Sequence, residues 1–284
     1  MPRSPWRRPK IGAETGCGQA FTPGGGVGLP NHSAIFFDFD DTLHDFRSAY
    51  QAAFSSLVHT VLEYAPVTSS PLRTTVAEVQ ARSAHAWDRI WERFMVGELT
   101  EEGLWSGRIS AVMDAIGLPL DDSVAQKARK RYLEAMEEAI RLYPDVHPAL
   151  EGLRGLPNRP VLAVLTNGPA TTQAQRLQRL GLYEQFDFIL ISGAIGVGKP
   201  DPRFFAEALT RGGVPPDRAV MIGDNPLADI GGAKGSGLRA VWMNRNDAPW
   251  PDRTIKPDAV VHNLLDAVAA AQRFLWEDEI PQGR

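Results

Sequence analysis

Cysteine is nearly absent. Cys17 is the single one in 284 residues, which excludes a disulfide within the chain and favours a reducing, cytoplasmic setting. No run of about 18 consecutive apolar residues exists, so no spanning helix and no membrane partner is expected. Positive charge is not in excess: 30 Lys and Arg against 34 Asp and Glu leave a net charge of −4, which argues against a nucleic-acid polymer as partner. The first 32 residues lack any hydrophobic period and the apolar centre of a secretory signal. Rich in Gly, Pro and Arg, they are expected to form a disordered tail. "GGGVG" at 24–28 lacks the preceding strand and following Lys-Ser/Thr of a phosphate loop. Apolar residues, by contrast, are plentiful: at 43% they suffice for the core of one large or two moderate domains.

Beyond residue 32, continuous apolar runs recur at 34–39, 161–165, 186–191, 219–222 and 238–243, with a short sixth at 258–263. Such runs are the pattern of strands covered on both faces. Helical stretches at about 169–181, 202–212, 226–236 and 264–275 alternate with them. This alternation predicts an α/β fold with a doubly wound parallel sheet. Residues 46–143 break it, with helical periodicity and no convincing strand. Asp121 or Asp122, and Thr100 with Glu102, are helix-start signals within that block. About a hundred helical residues cannot be a loop inside a compact sheet. The expected organisation is therefore a discontinuous core, 33–45 and 144–276, interrupted by a helical cap at 46–143.

Ligands of open parallel sheets sit at the carboxyl ends of the strands. Here those ends carry Asp38-Phe39-Asp40-Asp41-Thr42, then Thr166-Asn167-Gly168, then Gly198-Lys199-Pro200-Asp201 after the third strand, then Gly223-Asp224 with Asp229 following. Asp38 and Asp40, two positions apart on a strand, face the same way. Ionised together they repel by about a few kcal/mol at intermediate dielectric, a cost that a simple turn does not require. A divalent cation such as Mg²⁺, which takes carboxylate, water and phosphate oxygens, would offset it at Asp38 and Asp224.

"DFDDT", "TNG", "GKPDP" and "GDNPLAD", in this order at successive strand ends, resemble the four motifs of the haloacid dehalogenase-like phosphohydrolase superfamily. The resemblance spans about residues 34–245 and implies a Rossmann-like core with a helical cap. It implies roles position by position. Asp38 is the nucleophile that becomes an aspartyl-phosphate. Asp40 is the general acid and base, and its backbone carbonyl a metal ligand. Thr166, helped by the amide of Asn167, holds the phosphoryl group. Lys199 stabilises nucleophile and phosphoryl charge. Asp224 is an acidic metal ligand, so that Asp38, Asp40 and Asp224 would hold Mg²⁺, and Asp229 is the supporting acid. Many relatives carry a Glu-rich loop before the lysine; here it reads "SGAIGVGKP", with Gly193 and Ala194, which leaves open what supports Lys199.

The activity so implied is hydrolysis of a small soluble phosphate monoester, a nucleotide or sugar phosphate, by a monomer or homodimer. "FFDFDDTLHDFRSAY" with "TNG" is similar to the branch of pyrimidine 5′-nucleotidases and N-acylneuraminate 9-phosphatases. The alternatives are a phosphomutase and a 2-haloacid dehalogenase; dehalogenases of this kind lack the second acid, which Asp40 supplies here. In the cap, Trp87, Trp91 and Trp105 could stack on a base or sugar, although the i, i+4 spacing of Trp87 and Trp91 favours a helix core stripe. Arg47, His85 and Arg89 could meet substrate, with surface charge the plainer reading. Pro144 and Pro148 favour an extended return from cap to core.

Overall fold

The computed structural model describes residues 32–64, 74–119, 121–251 and 255–276. The expected tail, residue 32 apart, and its "GGGVG" stretch lie outside the described residues. Six parallel strands form one sheet in the order β3-β2-β1-β4-β5-β6: β1 (Ala34–Phe37), β2 (Val161–Thr166), β3 (Phe188–Ile191), β4 (Ala219–Gly223), β5 (Arg239–Met243) and β6 (Ala259–Val261). β1 pairs Ile35 with Leu162 on one side and with Val220 on the other. The short sixth run is a strand, paired through Trp242 and Val260.

Alternation along β1 feeds two separate cores, since successive side chains point to opposite faces. Ile35 and Phe37 pack with Leu162, Val164, Val220 and Ile222 on one face. Ala34 and Phe36 pack with Ala163, Leu165 and Met221 on the other. All four β1 residues are fully buried, which is why the sequence there is apolar without a polar alternate.

The described residues of 46–143 contain four helices: α1 (Phe46–Glu63), α2 (Val76–Met95), α3 (Glu101–Ile116) and α4 (Asp122–Ala139). Their starts are local. The Thr75 side chain accepts from Glu78 N in a reciprocal capping box, Thr100 accepts from Gly103 N, and Asp121 accepts from Ser123 N and Val124 N. They bury a hydrophobic cluster of their own, built around Phe54, Leu57, Trp105, Ile109 and Tyr132.

The two chain crossings that join these helices to the sheet run side by side. Asp45 N donates to Arg141 O and Tyr143 N to Leu43 O. Asp145 is fixed to the core by Arg245 Nη1 at 2.9 Å and by Leu264 N at 2.6 Å. The return is shorter than expected. Pro148 does not extend it but lies in the first turn of α5 (Val146–Arg154), where a missing N–H costs no helical bond.

The sheet is covered by α5, α6 (Ala170–Arg179), α8 (Pro202–Gly212) and α10 (Leu264–Trp276), with single turns at α7 (Ser192–Ile195) and α9 (Gly232–Gly235). The helix expected at 226–236 begins instead as a widened π turn, Pro226–Gly231, before α9. Asn225 caps that turn through Leu227 N and Ala228 N, and Asp229 is turned back toward β4 rather than out to solvent.

Candidate active site

β1 lies between β2 and β4, so the chain order reverses on either side of it, the place where open sheets bind ligands. Asp38 directly follows β1, its N–H still bonded to Ile222 O at 2.8 Å. The buried Lys199 ammonium bridges Asp38 Oδ1 and Asp229 Oδ1, both at 2.6 Å. Carboxylate oxygens of Asp38, Asp224 and Asp229 all lie within 4.8 Å of one another. Asp229 is completed by Asn225 N, which donates to its Oδ2. Gly223 is required for this approach, because a Cβ there would fall 2.4 Å from the Asp229 carboxyl carbon.

Three carboxylates face one ammonium, and the pKa shifts follow. Burial pushes Asp38 up to about 7; Lys199 pulls it down and Asp229 pushes it up further. Burial, then the charges of Asp38 and Asp229, push Asp224 well above the usual carboxylate range. Burial works against the charge on Lys199, but Asp229 and Asp38 outweigh it and keep the amine protonated. The trio thus lacks positive charge, and its donors are hard oxygens. A divalent cation fits both facts. Asp40 was expected beside Asp38 and Asp224 through its carbonyl, while the third carboxylate in the cluster is that of Asp229.

The Asp40 carboxylate points to a different set of partners. Oδ1 accepts from Arg176 Nη1 at 2.9 Å and lies 2.8 Å from His44 Nε2; Oδ2 accepts from Gln173 Nε2 at 3.1 Å. Burial would raise this carboxyl, but Arg176 and then the His44 hydrogen bond prevail and hold it at about 2. Gln173 also donates to Thr166 Oγ1 and Asn167 O, each at 2.9 Å, and so ties Asp40 to the second motif. Gly168 makes room for that amide: its φ is +147° and a Cβ would lie 2.9 Å from Gln173 Nε2.

Asn167 answers what supports Lys199 in the absence of a Glu-rich loop. Its side chain clamps the lysine backbone from both sides, Oδ1 accepting from Lys199 N at 2.9 Å and Nδ2 donating to Lys199 O at 2.7 Å.

A cavity of about 750 Å³ opens over the strand ends, within the range of small-ligand pockets. Asp38, Asp40, Thr166, Lys199 and Asp224 form its floor; Tyr50, Trp87, Trp91, Trp105, Arg108 and Tyr132 from the helical block form its walls. Trp87 and Trp91 are only half-buried and line the cavity, so they are not a core stripe, whereas Trp105 is buried in the helical cluster. Arg47, His85 and Arg89 are exposed and do not line it.

Sequence reasoning missed His44, Gln173, Arg176 and Arg108. A signal existed for two of them: Gln173 and Arg176, three apart on the helix after Thr-Asn-Gly, share the face turned to the strand ends.

Residues 32–237 match the family description haloacid dehalogenase-like hydrolase. The chain belongs to this family and is a hydrolase. Phosphoserine phosphatase of Thermus thermophilus is 36% identical over 191 residues, 65% of this chain and 74% of that protein. Pyrimidine 5′-nucleotidase YjjG of Escherichia coli is 29% identical over 231 residues, 81% and 93% of the two chains. Among solved structures, the HAD-hydrolase YfnB of Bacillus subtilis, bound to magnesium and described as revealing interdomain movement, has a TM-score of 0.64 at 25% identity, covering 85% of this chain and 99% of that one. A 2-haloacid dehalogenase from Pseudomonas syringae has a TM-score of 0.60 at 33% identity, covering 84% and 98%. Among the described residues no helix is long and apolar enough to cross a membrane.

Proposed function

We propose that the chain is a Mg²⁺-dependent phosphatase that hydrolyses a small phosphate monoester through a phosphoryl group carried on Asp38. The observation that carries this reading is Lys199 bridging Asp38 and Asp229 beside Asp224, at the floor of a cavity also lined by Thr166. Mg²⁺ held by Asp38, Asp224 and the Asp40 carbonyl, with Asp229 in support, would neutralise phosphate oxygens and keep Asp38 ionised.

Asp38 attacks phosphorus; its O–P bond forms as the ester P–O bond breaks. Asp40 gives a proton to the departing alkoxide. Asp40 then takes a proton from water, the water oxygen attacks phosphorus, and the Asp38–phosphorus bond breaks to release inorganic phosphate. Lys199, Thr166 and the Asn167 amide hold the equatorial oxygens, where the charge resides. Asp40, ionised and gripped by Arg176, has the form of the base needed in the second step. To serve as the acid of the first step, Asp40 must take up a proton against the pull of Arg176.

A haloacid reading would use Asp38 as nucleophile but needs no metal to neutralise a phosphate and no acid at Asp40, because halide leaves as an anion. A panel of phosphate monoesters, with 2-chloropropionate as the dehalogenase arm, discriminates. Inorganic phosphate should be released with Mg²⁺ and not after exhaustive chelation. Chloride release without phosphate release would end the phosphatase reading.

Asp40→Asn should slow alkyl phosphates by about 10²–10⁴-fold, the usual worth of a general acid or base. p-Nitrophenyl phosphate should suffer less, because its leaving group needs no proton. An equal loss on both would contradict the assignment.

Residues 46–143 act in this reading as a cap over the core at 33–45 and 144–276, opening to admit substrate and closing to exclude water. Away from the two chain crossings, contacts between them include Thr172 Oγ1 donating to Glu101 Oε1 at 2.7 Å, Arg179 Nε donating to Glu137 O at 3.0 Å and Ser192 Oγ donating to Met95 Sδ at 3.8 Å. The interdomain movement described for YfnB supports it. In a Cys17→Ser background, Glu101→Cys and Thr172→Cys joined by a short bis-maleimide should lower kcat about tenfold or more. Undiminished turnover in the cross-linked chain would make the block a fixed lobe.

A further inference from the structure

We infer that Arg108 is the centre of a carboxylate subsite in the cavity wall, so that the substrate is a phosphate monoester that also carries a carboxylate. This rests on the phosphatase reading for the other end of the molecule. Arg108, on α3, is 4% exposed. Its guanidinium carbon lies 4.0 Å from the Trp87 ring centroid, 5.0 Å from Tyr50 and 5.3 Å from Phe54. Nη2 donates to the Tyr50 hydroxyl, and Nε is buried with no hydrogen-bond partner.

No carboxylate among the described residues pairs with this cation. Arg176 and Arg245, enclosed to a comparable degree, each have one, in Asp40 and Asp145. A guanidinium taken out of water and left with aromatic faces and one hydroxyl has lost more solvation than they return. The deficit lies in a cavity wall, where a ligand can reach it. Sequence placed it there: a Cβ on Gly107 would meet Ile90 side-chain atoms at 3.1 Å, so glycine lets α2 come close to α3 and lays Trp87, one turn before Ile90, on Arg108.

The planar fork of a guanidinium matches a carboxylate in two parallel hydrogen bonds. The stacked guanidinium also occupies a face of Trp87, which takes that face from a nucleobase. The cavity therefore has an anion site at each end, phosphate on the Lys199 floor and carboxylate at Arg108.

The test compares the full-length wild type with Arg108→Met and Arg108→Lys. The substrates are O-phosphoserine, O-phosphoethanolamine, a nucleoside 5′-monophosphate and a linear bisphosphate. Calorimetry measures binding of 3-phosphonopropionate against propylphosphonate, and melting curves check that each variant is folded. The wild type should prefer O-phosphoserine to O-phosphoethanolamine, chiefly through KM. Arg108→Met should shrink that ratio about 10- to 100-fold, the usual worth of charge-assisted hydrogen bonds, and Arg108→Lys should restore part of it. A ratio unmoved while both rates fall would reduce Arg108 to a packing role. Preference for the nucleotide or the bisphosphate would overturn the carboxylate assignment. Arg108-dependent binding of the phosphonocarboxylate without turnover of any ester would keep the subsite and reject the phosphatase reading.

Discussion

Asp38→Asn is expected to fold and to turn over no phosphate ester. An amide cannot attack phosphorus as a carboxylate does, so both steps are lost together, by about 10⁴-fold or more, the scale on which removal of a covalent nucleophile acts. Stability should not suffer in proportion. Asp38 is the buried carboxyl pushed up to about 7, and its removal leaves Lys199 still bonded to Asp229 at 2.6 Å. Two carboxylates then face one ammonium instead of three. The measurement is single turnover with labelled substrate and a rapid quench. Wild-type protein should retain label that hydroxylamine releases, and the variant should retain none. Turnover of Asp38→Asn within about tenfold of wild type would remove Asp38 from the chemistry.

Lys199→Met should be inactive and much less stable. The side chain is 2% exposed and holds two carboxylates directly. Removing one partner of a buried pair leaves uncompensated charge, at a cost of about 3–5 kcal/mol. The cost depends on pH. Asp38 already titrates near 7 in the folded chain against 3.8 in the unfolded one, so in the absence of metal its contribution is favourable below about 4 and lost as pH rises to about 7. Without Lys199 the folded carboxyl binds its proton still more tightly, and this loss extends to higher pH. Denaturant unfolding in chelator should therefore show the gap between wild type and Lys199→Met widening from pH 5 to pH 8. A gap that narrows would contradict the charge balance assigned to the trio. Added Mg²⁺ should raise the wild-type midpoint more at pH 8 than at pH 5, where protons compete for the same oxygens.

The doubly wound parallel sheet and the two-faced burial of its strands were legible because continuous apolar runs and four short motifs are local features. So were helices α3 and α4, whose starts at Thr100 and Asp121 are set by side chains within three residues of the amides they accept from. The acids at the strand ends could be named from position alone, since a parallel sheet presents those ends together. The helical stretch at 226–236 was legible too, but its opening π turn was not: Asp229 bonds Lys199 and passes close to Gly223, contacts through space that periodicity does not mark.

What the sequence by itself determined is the fold class and the floor of the site: Asp38, Asp40, Thr166, Lys199, Asp224 and Asp229 follow from their motifs and the strands that precede them. Only the tertiary structure decided what those groups feel and what stands over them. The charge state of Asp40 depends on Arg176, 136 positions away, and the enclosure of Arg108 depends on Tyr50, 58 positions away. Electrostatic coupling and desolvation depend on distance in space, and no local period in a chain records which distant residues will close to within a hydrogen bond.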